Sequence, residues 1–301
     1  MERICFVILA HNKNDCLRDL VENLRAFAPA STSVLFNGGT DPTLGKNLGI
    51  PICPYSRSLG YSWTTTFLLD VMQWIADKGY EYDHLVYVEN DMLLIKSGFE
   101  EFLQQEMQGF DYMAVQLRKL YSADGWGTAE RFLPKWTTIW QPLFQLAVPF
   151  GCLNAAQVFS RNTVEAVLAH PRLFEIRNRT ASSSIPSLTE LLYPCLVASA
   201  GCRMKSYPVA QAEAIRWKGH HSLDELLAHR EHPHVYLLHP IGMKYDSPDR
   251  QFIRAHRTGA ILSRDRLQEL FSGWPAPVPR RTITRRVLSR LRTLWIRLKR
   301  E

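Results

Sequence analysis

The chain has 301 residues, of which 46% are hydrophobic and 22% are charged. This is ordinary globular composition, sufficient for one large α/β domain or two smaller ones. The six cysteines are scattered and form no C-x-x-C pair, which argues against a disulfide framework and favours free thiols in a reducing, cytosolic setting.

The positive charge is concentrated at the C-terminus. The formal net charge is +7, and residues 280–301 hold nine basic residues and one acidic residue, a sum of +8. Because 7 − 8 = −1, the rest of the chain is nearly neutral. The sequence therefore consists of a nearly neutral body and a basic tail.

Apolar runs and helical spacing alternate along the first 115 residues. The first run, Ile4–Ala10, lacks the small-residue cleavage pattern of a signal peptide and is typical of a strand covered on both faces. The patterns predict strands at 4–10, 33–36, 85–88 and 112–115, and helices at 15–27, 63–78 and 99–107. Asn14 or Asp15 is expected to cap the first helix. This alternation predicts an α/β fold with a mainly parallel central sheet and helices on both faces.

A second apolar stretch, from Trp136 to Phe159, is long enough to raise the question of a membrane span. Two prolines, two glutamines and an asparagine interrupt it, at Pro142, Pro149, Gln141, Gln145 and Asn154. Unpaired polar groups and helix breakers are costly in a lipid environment, so a spanning helix is not expected here.

The basic tail has the pattern of an amphipathic helix. Its apolar residues recur at helical spacing and form one stripe: Val287, Leu288, Leu291, Leu294, Trp295 and Leu298. A helix with arginines opposite a Trp/Leu face is typical of binding to an anionic membrane surface. The alternative is a solvated helix that docks on the domain through this stripe, and nucleic acid is a less favoured partner.

The proline-rich run 274–279 precedes the tail and is typical of a stiff linker. We therefore predict one main domain over residues 1–262, a Pro-rich linker region over 263–279 and a basic amphipathic helix over 280–301. Together with the free thiols, the tail predicts a cytoplasmic protein attached peripherally to the inner face of the membrane.

Polar residues follow the first three predicted strands. In chain order they are His11, Asn12, Asn37, Gly38, Glu89, Asn90 and Asp91. In open α/β sheets, ligands bind outside the carboxyl ends of the parallel strands. These three clusters are therefore expected to face one crevice.

The acidic cluster has two interpretations. Carboxylates at positions i and i+2 just past a buried strand, here Glu89 and Asp91, can converge on a metal ion or on hydroxyl groups. They can equally end the strand and cap the next turn, which Asp and Asn often do. An acidic strand end does not by itself decide between these roles.

The surrounding segments favour the first interpretation. Residues 57–61 (RSLGY) are followed by a predicted helix and by 82–94 (YDHLVYVENDMLL), and further downstream come 150–154 (FGCLN), 158–162 (VFSRN), 187–192 (SLTELL) and 200–204 (AGCRM). In order and spacing these segments resemble the inverting GT-A glycosyltransferases of the family 2 type. They match its glycine-containing loop, its strand ending in a D-x-D-like motif, its acceptor-side strand with an F-S-R helix entry, its acidic motif and its G-x-K/R turn. The resemblance covers roughly residues 4–210. Two positions depart from the family: Glu89 stands at the first Asp of the D-x-D-like motif, and Thr189 precedes Glu190 where the family usually has an acidic pair.

The resemblance implies a GT-A fold and an enzyme that moves a sugar from a nucleotide-diphosphate donor to a hydroxyl of a glycan or glycolipid, with inversion. It implies that Asp91 holds a divalent cation, Mn²⁺ or Mg²⁺, on the donor diphosphate. Glu89 and Asn90 are then expected at the ribose or at a metal-bound water. The residues expected to line the nucleoside pocket are His11, Asn12, Asn37 and Gly38. A membrane-surface tail makes a lipid-linked acceptor attractive.

On the same match, Glu190 stands where the family has its general base. A structural role competes with this one, because Ser187 and Glu190 have the spacing of a capping box at the start of a helix. The two roles can coexist.

Seven of the ten histidines fall between His220 and His256. A zinc site is conceivable, but no paired cysteines accompany them and Pro233 interrupts the cluster, so surface histidines are the simpler interpretation. His239 is the exception, because it follows an apolar run and some GT-A enzymes bring a late histidine to the metal. We therefore predict His239 as a second metal ligand.

Three other classes of protein are alternatives to a glycosyltransferase. A sugar-phosphate nucleotidyltransferase and a Rossmann oxidoreductase both need a glycine-rich loop after the first strand, where this chain has His11 and Asn12. The alternative that stays open is a catalytically silent protein that kept the fold and binds carbohydrate or membrane.

Overall fold

The computed structural model describes residues 3–60 and 63–274. The strands are β1 (Ile4–Ala10), β2 (Thr32–Asn37), β3 (His84–Glu89), β4 (Leu93–Leu94), β5 (Tyr112–Ala114), β6 (Arg118–Lys119), β7 (Phe150–Gly151), β8 (Val158–Ser160), β9 (Met204–Ser206) and β10 (Leu237–Leu238). The α-helices are α1 (Asn14–Phe27), α2 (Phe67–Asp77), α3 (Phe99–Glu106), α4 (Gly127–Phe132), α5 (Gln141–Phe144), α6 (Arg161–Leu168), α7 (Leu173–Ala181), α8 (Thr189–Ser199), α9 (Val209–Ala214), α10 (Leu223–Glu231), α11 (Pro248–Arg257) and α12 (Arg264–Leu270). A 3₁₀-helix (Leu133–Lys135) and a π-helix (Trp136–Trp140) lie between α4 and α5.

The central sheet has six strands in the order β2-β1-β3-β8-β5-β9. β1 pairs in parallel with β2 and β3, and β5 pairs in parallel with β9. β8 runs antiparallel to both of its neighbours, β3 and β5, so the other five strands share one direction. The predicted mainly parallel sheet is therefore confirmed, and β8 is the reversed strand within it.

Helices cover both faces of this sheet. Every residue of β1 is buried, as expected for a central strand covered on both sides. Its alternate residues enter two different cores: Phe6 and Ile8 pack in the layer of α1 and α3, whereas Val7 and Leu9 pack in the layer of α2 and α8. The predicted two-sided α/β architecture is confirmed. All six cysteines are free thiols, as expected, and five of them are buried.

Two helices begin differently from the prediction. Neither Asn14 nor Asp15 caps α1; the N-cap is Lys13, in a left-handed backbone conformation and without a side-chain cap. α2 begins at Phe67 instead of near Trp63, because three consecutive β-branched threonines, 64–66, precede it. Such residues lose side-chain freedom in a helix and favour turns.

The apolar stretch from Trp136 to Phe159 is divided among the π-helix, α5, β7 and β8, in line with the prediction that it is not a spanning helix. Within residues 3–60 and 63–274, none of the helices has the length and apolarity needed to cross a membrane. The stretch instead supplies aromatic residues to one core: Trp136, Trp140 and Phe144 stack on one another or on Phe132.

The C-terminal part of the described chain packs on the domain. α12 lies within the predicted linker region 263–279, and Leu267 and Phe271 contact the core that contains α1. Residues 275–279 of that region and the predicted tail helix at 280–301 lie outside the described residues.

Candidate active site

The polar clusters that follow β1, β2 and β3 lie together at one edge of the sheet. The side-chain amide of Asn90 donates to the carbonyl oxygen of Asn12 at 3.1 Å. Nδ1 of His11 lies 2.9 Å from the carbonyl oxygen of Gly38. Since parallel neighbours end at the same edge, the pairing of the strands brings the clusters together. The spatial part of the prediction is therefore correct.

Gly38 allows the His11 ring to approach the end of β2. A Cβ atom on Gly38 would lie 2.9 Å from the Nδ1 and Cε1 atoms of that ring, closer than such contacts tolerate. Only glycine fits here without moving the imidazole. His11 and Gly38 thus form one closely packed unit at this edge of the sheet.

The side chain of Asn37 serves its own loop. Its Oδ1 accepts from the backbone N–H of Gly39 at 2.9 Å, and its Nδ2 donates to the carbonyl oxygen of Asp41 at 2.7 Å. Asn37 therefore shapes the loop after β2, and its contact with a nucleoside stays a prediction.

Three potential metal ligands converge where β3 ends. One ligand atom each from Glu89, Asp91 and His239 lies within 4.8 Å of the others. Asp91 Oδ2 and His239 Nε2 are 3.6 Å apart. No second group of three such side chains lies this close together in the described part of the chain. The predicted pair, Asp91 and His239, is therefore in place, and Glu89 joins it.

Backbone contacts fix the His239 ring. Its Nδ1 lies 2.7 Å from the carbonyl oxygen of Arg216, an atom that only accepts, so Nδ1 carries the proton. The backbone N–H of Arg216 donates in turn to the carbonyl oxygen of His239 at 3.0 Å. In the neutral ring this leaves the Nε2 lone pair directed at Asp91. A backbone carbonyl on the other ring nitrogen is the usual second contact of a metal-binding histidine.

Glu89 is held on one side of its carboxylate. Its Oε1 accepts hydrogen bonds from the Tyr87 hydroxyl and from Asn154 Nδ2, the latter at 2.9 Å. These two donors fix the orientation of the Glu89 carboxylate. Asn154 comes from the loop between β7 and β8, so the segment that leads into the reversed strand of the sheet also supplies a residue of this site.

Asp91 has an unsatisfied oxygen. Its Oδ1 is buried and has no hydrogen-bond partner among the described residues. Burial raises the pKa of Asp91 above its usual value, and the charge of Glu89 raises it further, while His239 and Arg250 oppose the rise. A buried carboxylate oxygen without a partner is costly. A bound cation would remove this cost, so the donor set fits a divalent metal ion.

Arg250, in α11, is fully buried behind the turn formed by Glu89, Asn90 and Asp91. It donates to the carbonyl oxygen of Asn90, to that of Gly242 at 2.6 Å and to the carboxylate of Asp19 at 3.0 Å. Next to these contacts, the N–H of Ile241 donates to the carbonyl oxygen of Asp91 at 2.7 Å. The Arg250 guanidinium therefore links α11 to α1 and to two backbone segments of the site, the one that holds Glu89 and Asp91 and the one that follows His239.

Glu190 is buried in the first turn of α8. Trp126 Nε1 donates to its Oε2 at 2.6 Å, and Thr128 Oγ1 donates to the same oxygen at 3.2 Å. Burial raises the pKa of Glu190 to about 7, the charge of Glu89 adds to the rise, and the two hydrogen bonds oppose it. A carboxylate with this pKa can take up a proton near neutral pH.

The capping box proposed for Ser187 and Glu190 does not form. Leu188 is the N-cap of α8, and no side chain caps this helix. Ser187 has a positive φ of 53°, which turns it away from the capping conformation. Glu190 instead directs its carboxylate to α4.

The histidines between His220 and His256 are not all at the surface, in contrast to the simpler interpretation. His221 is fully buried and its ring lies 5.3 Å from that of His229. Burial, followed by the charge of Arg216, lowers the pKa of His221 to about 3. His221 is therefore neutral in the core, and in the described chain only His239 of this group joins a potential metal site.

Sequence patterns missed four residues of the site. Trp126 and Thr128 contact Glu190 from 64 and 62 positions away, and Arg250 reaches Asn90 from 160 positions away. Asn154 lies within a matched segment and is one of two amides between β7 and β8, a weak signal for a role. None of these contacts leaves a local spacing in the sequence.

Known proteins give limited guidance. A scan against protein-family models finds no match, and no curated protein matches the sequence. Among solved structures, the chain is similar to galactosyltransferase LgtC in complex with donor and acceptor sugar analogues, at 11% identity and a TM-score of 0.46, covering 90% of this chain and 99% of that one. It is also similar to TarS of S. aureus, at 11% identity and a TM-score of 0.40, covering 91% and 43%. A third is glucosyl-3-phosphoglycerate synthase of Mycobacterium tuberculosis in complex with phosphoglyceric acid, at 12% identity and a TM-score of 0.31, covering 63% and 68%. At such values neither substrate nor mechanism transfers to this chain.

Proposed function

We propose that this protein is a glycosyltransferase that moves a sugar from a nucleotide-diphosphate donor to a hydroxyl of a glycan or glycolipid, with inversion at the anomeric carbon. The observation that carries the proposal is the convergence of Glu89, Asp91 and His239 within 4.8 Å at a strand end, next to a second, buried carboxylate. That carboxylate, Glu190, is close enough to Glu89 for the two charges to interact. A cation-binding group beside a base is the pair that such a transfer needs.

The proposed metal ligands are Asp91 Oδ1, Glu89 Oε2 and His239 Nε2. Two carboxylates and one imidazole form a mixed oxygen and nitrogen set, which suits Mn²⁺ better than the all-oxygen sites that Mg²⁺ prefers. Such an ion supplies positive charge that stabilises the diphosphate as it leaves the sugar. The unpartnered Asp91 Oδ1 is the atom that most needs it.

We assign the donor nucleoside to the neighbouring end of the sheet. His11 and Gly38 pack against each other there, and the side chain of Asn90 donates to the backbone of Asn12. Backbone groups and an imidazole edge at this position can recognise a base and a ribose through hydrogen bonds. Asn37 contributes by holding the loop after β2.

Glu190 is the proposed general base. The acceptor hydroxyl oxygen forms a bond to the anomeric carbon while the bond from that carbon to the diphosphate oxygen breaks. The hydroxyl proton passes to Glu190, and the bonding electrons leave with the diphosphate. Because the pKa of Glu190 is raised to about 7 by burial, the carboxylate is a stronger base than an exposed glutamate and is still largely ionised above pH 7.

Thermal-shift titration tests the proposal. UDP-, GDP-, dTDP- and CMP-sugars are added with and without Mn²⁺, and at least one diphosphate donor is expected to raise the melting temperature in a Mn²⁺-dependent way. The Asp91→Ala variant should lose that dependence. A protein that no nucleotide stabilises, and in which Asp91→Ala changes nothing, is the silent carbohydrate- or membrane-binding protein instead.

We also propose that the tail at 280–301 attaches the enzyme to the inner face of the membrane, so that its acceptor is lipid-linked. The nine basic residues and the apolar stripe of this segment support the proposal. The tail lies outside the described residues, so its test is a binding measurement on the full chain.

A further inference from the structure

One oxygen of the Glu190 carboxylate receives two hydrogen bonds. Oε2 accepts from Trp126 Nε1 at 2.6 Å and from Thr128 Oγ1 at 3.2 Å. Because both donors bind the same oxygen, they fix the orientation of the carboxylate.

Neighbouring strands fix the direction of the Trp126 indole. A Cβ atom on Gly151 would lie 2.7 Å from the Trp126 ring, so the ring packs directly on the backbone of β7. The guanidinium carbon of Arg118, in β6, lies 5.0 Å from the centre of the same ring. The backbone N–H of Cys152 donates to the carbonyl oxygen of Glu190 at 2.9 Å, which ties the start of α8 to the same ribbon. The indole of Trp126 and the start of α8, which carries Glu190, are thus both held by β6, β7 and the residue after β7.

We infer that Trp126 and Thr128 are positioning residues, which hold Oε2 of Glu190 and so keep the carboxylate in the orientation in which it takes the proton of the acceptor hydroxyl. This role rests on the function proposed above. A carboxylate that can rotate freely would present either oxygen and lose part of the advantage of a fixed geometry. The short, charge-assisted bond from the indole is the stronger of the two contacts.

The charges that face Glu190 come from several elements. Glu89 raises the pKa of its carboxyl group, whereas Arg118 lowers it, and the hydrogen bonds from Trp126 and Thr128 also lower it. The thiol of Cys152 is buried nearby, and burial raises its own pKa, so it stays neutral. Removal of the indole donor leaves the other charges in place and should therefore raise the pKa of Glu190 by itself.

The first measurement is the pH dependence of kcat for Trp126→Phe and Thr128→Val on the full chain. For Trp126→Phe, the acidic limb is expected to move up by about one pH unit, which lowers kcat about fivefold at pH 7 with little change in KM. Thr128→Val should move it less, in line with its longer contact. The matched control is Trp136→Phe, since Trp136 is also buried and aromatic but its Nε1 has no partner among the described residues. That variant should keep the wild-type profile.

The second measurement does not need activity. The chain has eight tryptophans, so an NMR spectrum has eight indole N–H signals, and the signal that Trp126→Phe removes is that of Trp126. This signal is expected to titrate near pH 7 in the wild-type protein and to lose that titration in Glu190→Gln. If no sugar nucleotide is turned over but this titration is present, the proposed function fails while the contact stands.

Two results would overturn the inference. One is an unchanged acidic limb in a folded Trp126→Phe protein that remains active. The other is a Trp126 indole signal that ignores Glu190→Gln. If Trp126→Phe does not fold, Thr128→Val decides, because a hydroxyl-to-methyl change of similar shape removes one donor and little packing; an unchanged limb there also counts against the role.

Discussion

The carboxylate of Asp91 faces the Nε2 atom of His239 at 3.6 Å, although the two residues are far apart in the chain. The surroundings of each residue suit a metal ligand. Asp91 keeps a buried oxygen without a partner among the described residues, and His239 gives its other ring nitrogen to a backbone carbonyl. The site is therefore organised before any ion arrives, which reduces the cost of binding one.

Asp91→Asn should weaken Mn²⁺ binding by about a hundredfold or more, since even the loss of outer contacts to a metal ligand costs 10- to 100-fold. The variant keeps the shape of the side chain and removes a buried charge, so the protein without metal should be no less stable. Titration of free Mn²⁺ followed by electron paramagnetic resonance measures the affinity.

Asp77→Asn is the control for that experiment, because Asp77 is an exposed aspartate at the end of α2. It should bind Mn²⁺ like the wild-type protein. Equal affinity in Asp91→Asn and wild type would refute the metal site, whatever the activity of either protein.

Arg250→Met should destabilise the domain by about 3 kcal/mol, because it leaves the carboxylate of Asp19 buried without its main partner. Arg257 and Arg254, at 3.2 and 3.7 Å from Asp19, offset part of the loss. Urea unfolding of Arg250→Met, Asp19→Asn and the double variant measures the coupling between the two residues.

Arg266→Met provides the comparison, since Arg266 forms an exposed ion pair with Glu269 on α12. Its loss should cost less than about 0.5 kcal/mol. Additive effects of Arg250→Met and Asp19→Asn would show that the buried pair contributes little and that Arg250 acts only through the backbone carbonyls.

The sheet could be predicted because its first strands are continuous apolar runs that end in polar residues. The run Leu85–Val88 is followed by Glu89, Asn90 and Asp91, and parallel pairing of the strands brings these residues to His11 and Asn12. The roles expected of Asp91 and Glu190 came instead from the order and spacing of the segments that resemble the family, and they stay predictions.

The rest of the site depends on contacts that no short pattern records. Trp126 reaches Glu190 across 64 positions, and Arg250 reaches Asp19 across 231. Two local signals were also wrong: the Ser187 capping box and the helix start near Trp63. The positive φ of Ser187 prevents the first, and the three threonines before Phe67 delay the second.

Deletion of residues 280–301 should abolish binding to vesicles that contain anionic lipid and leave the soluble reaction intact. Each basic residue near an anionic surface contributes about 1 kcal/mol, so nine of them dominate the affinity. Flotation of full-length and truncated protein with anionic and neutral vesicles measures this. Leu291→Ser with Leu294→Ser keeps the charge and breaks the apolar stripe, so it should weaken binding without abolishing it; unchanged binding would favour a purely electrostatic contact.

Glu190→Gln should separate stability from activity. Burial raises the pKa of Glu190 from its ordinary value of 4.5 to about 7, so the folded protein favours the protonated form. This preference stabilises the fold fully below pH 4.5 and is lost as the pH rises through about 7, where the folded protein must ionise a buried carboxyl group. The neutral glutamine escapes this cost, so the variant should be more stable than wild type by about 3 kcal/mol at pH 8 and equally stable at pH 4. Glutamine cannot accept the proton of the acceptor hydroxyl, so kcat of the variant should fall by a factor of about 10² to 10⁴. Urea unfolding at the two pH values measures the stability, and an assay of nucleoside diphosphate release measures the activity. A variant that is less stable at pH 8 and still active would mean that Glu190 serves the structure of α8 and not proton transfer.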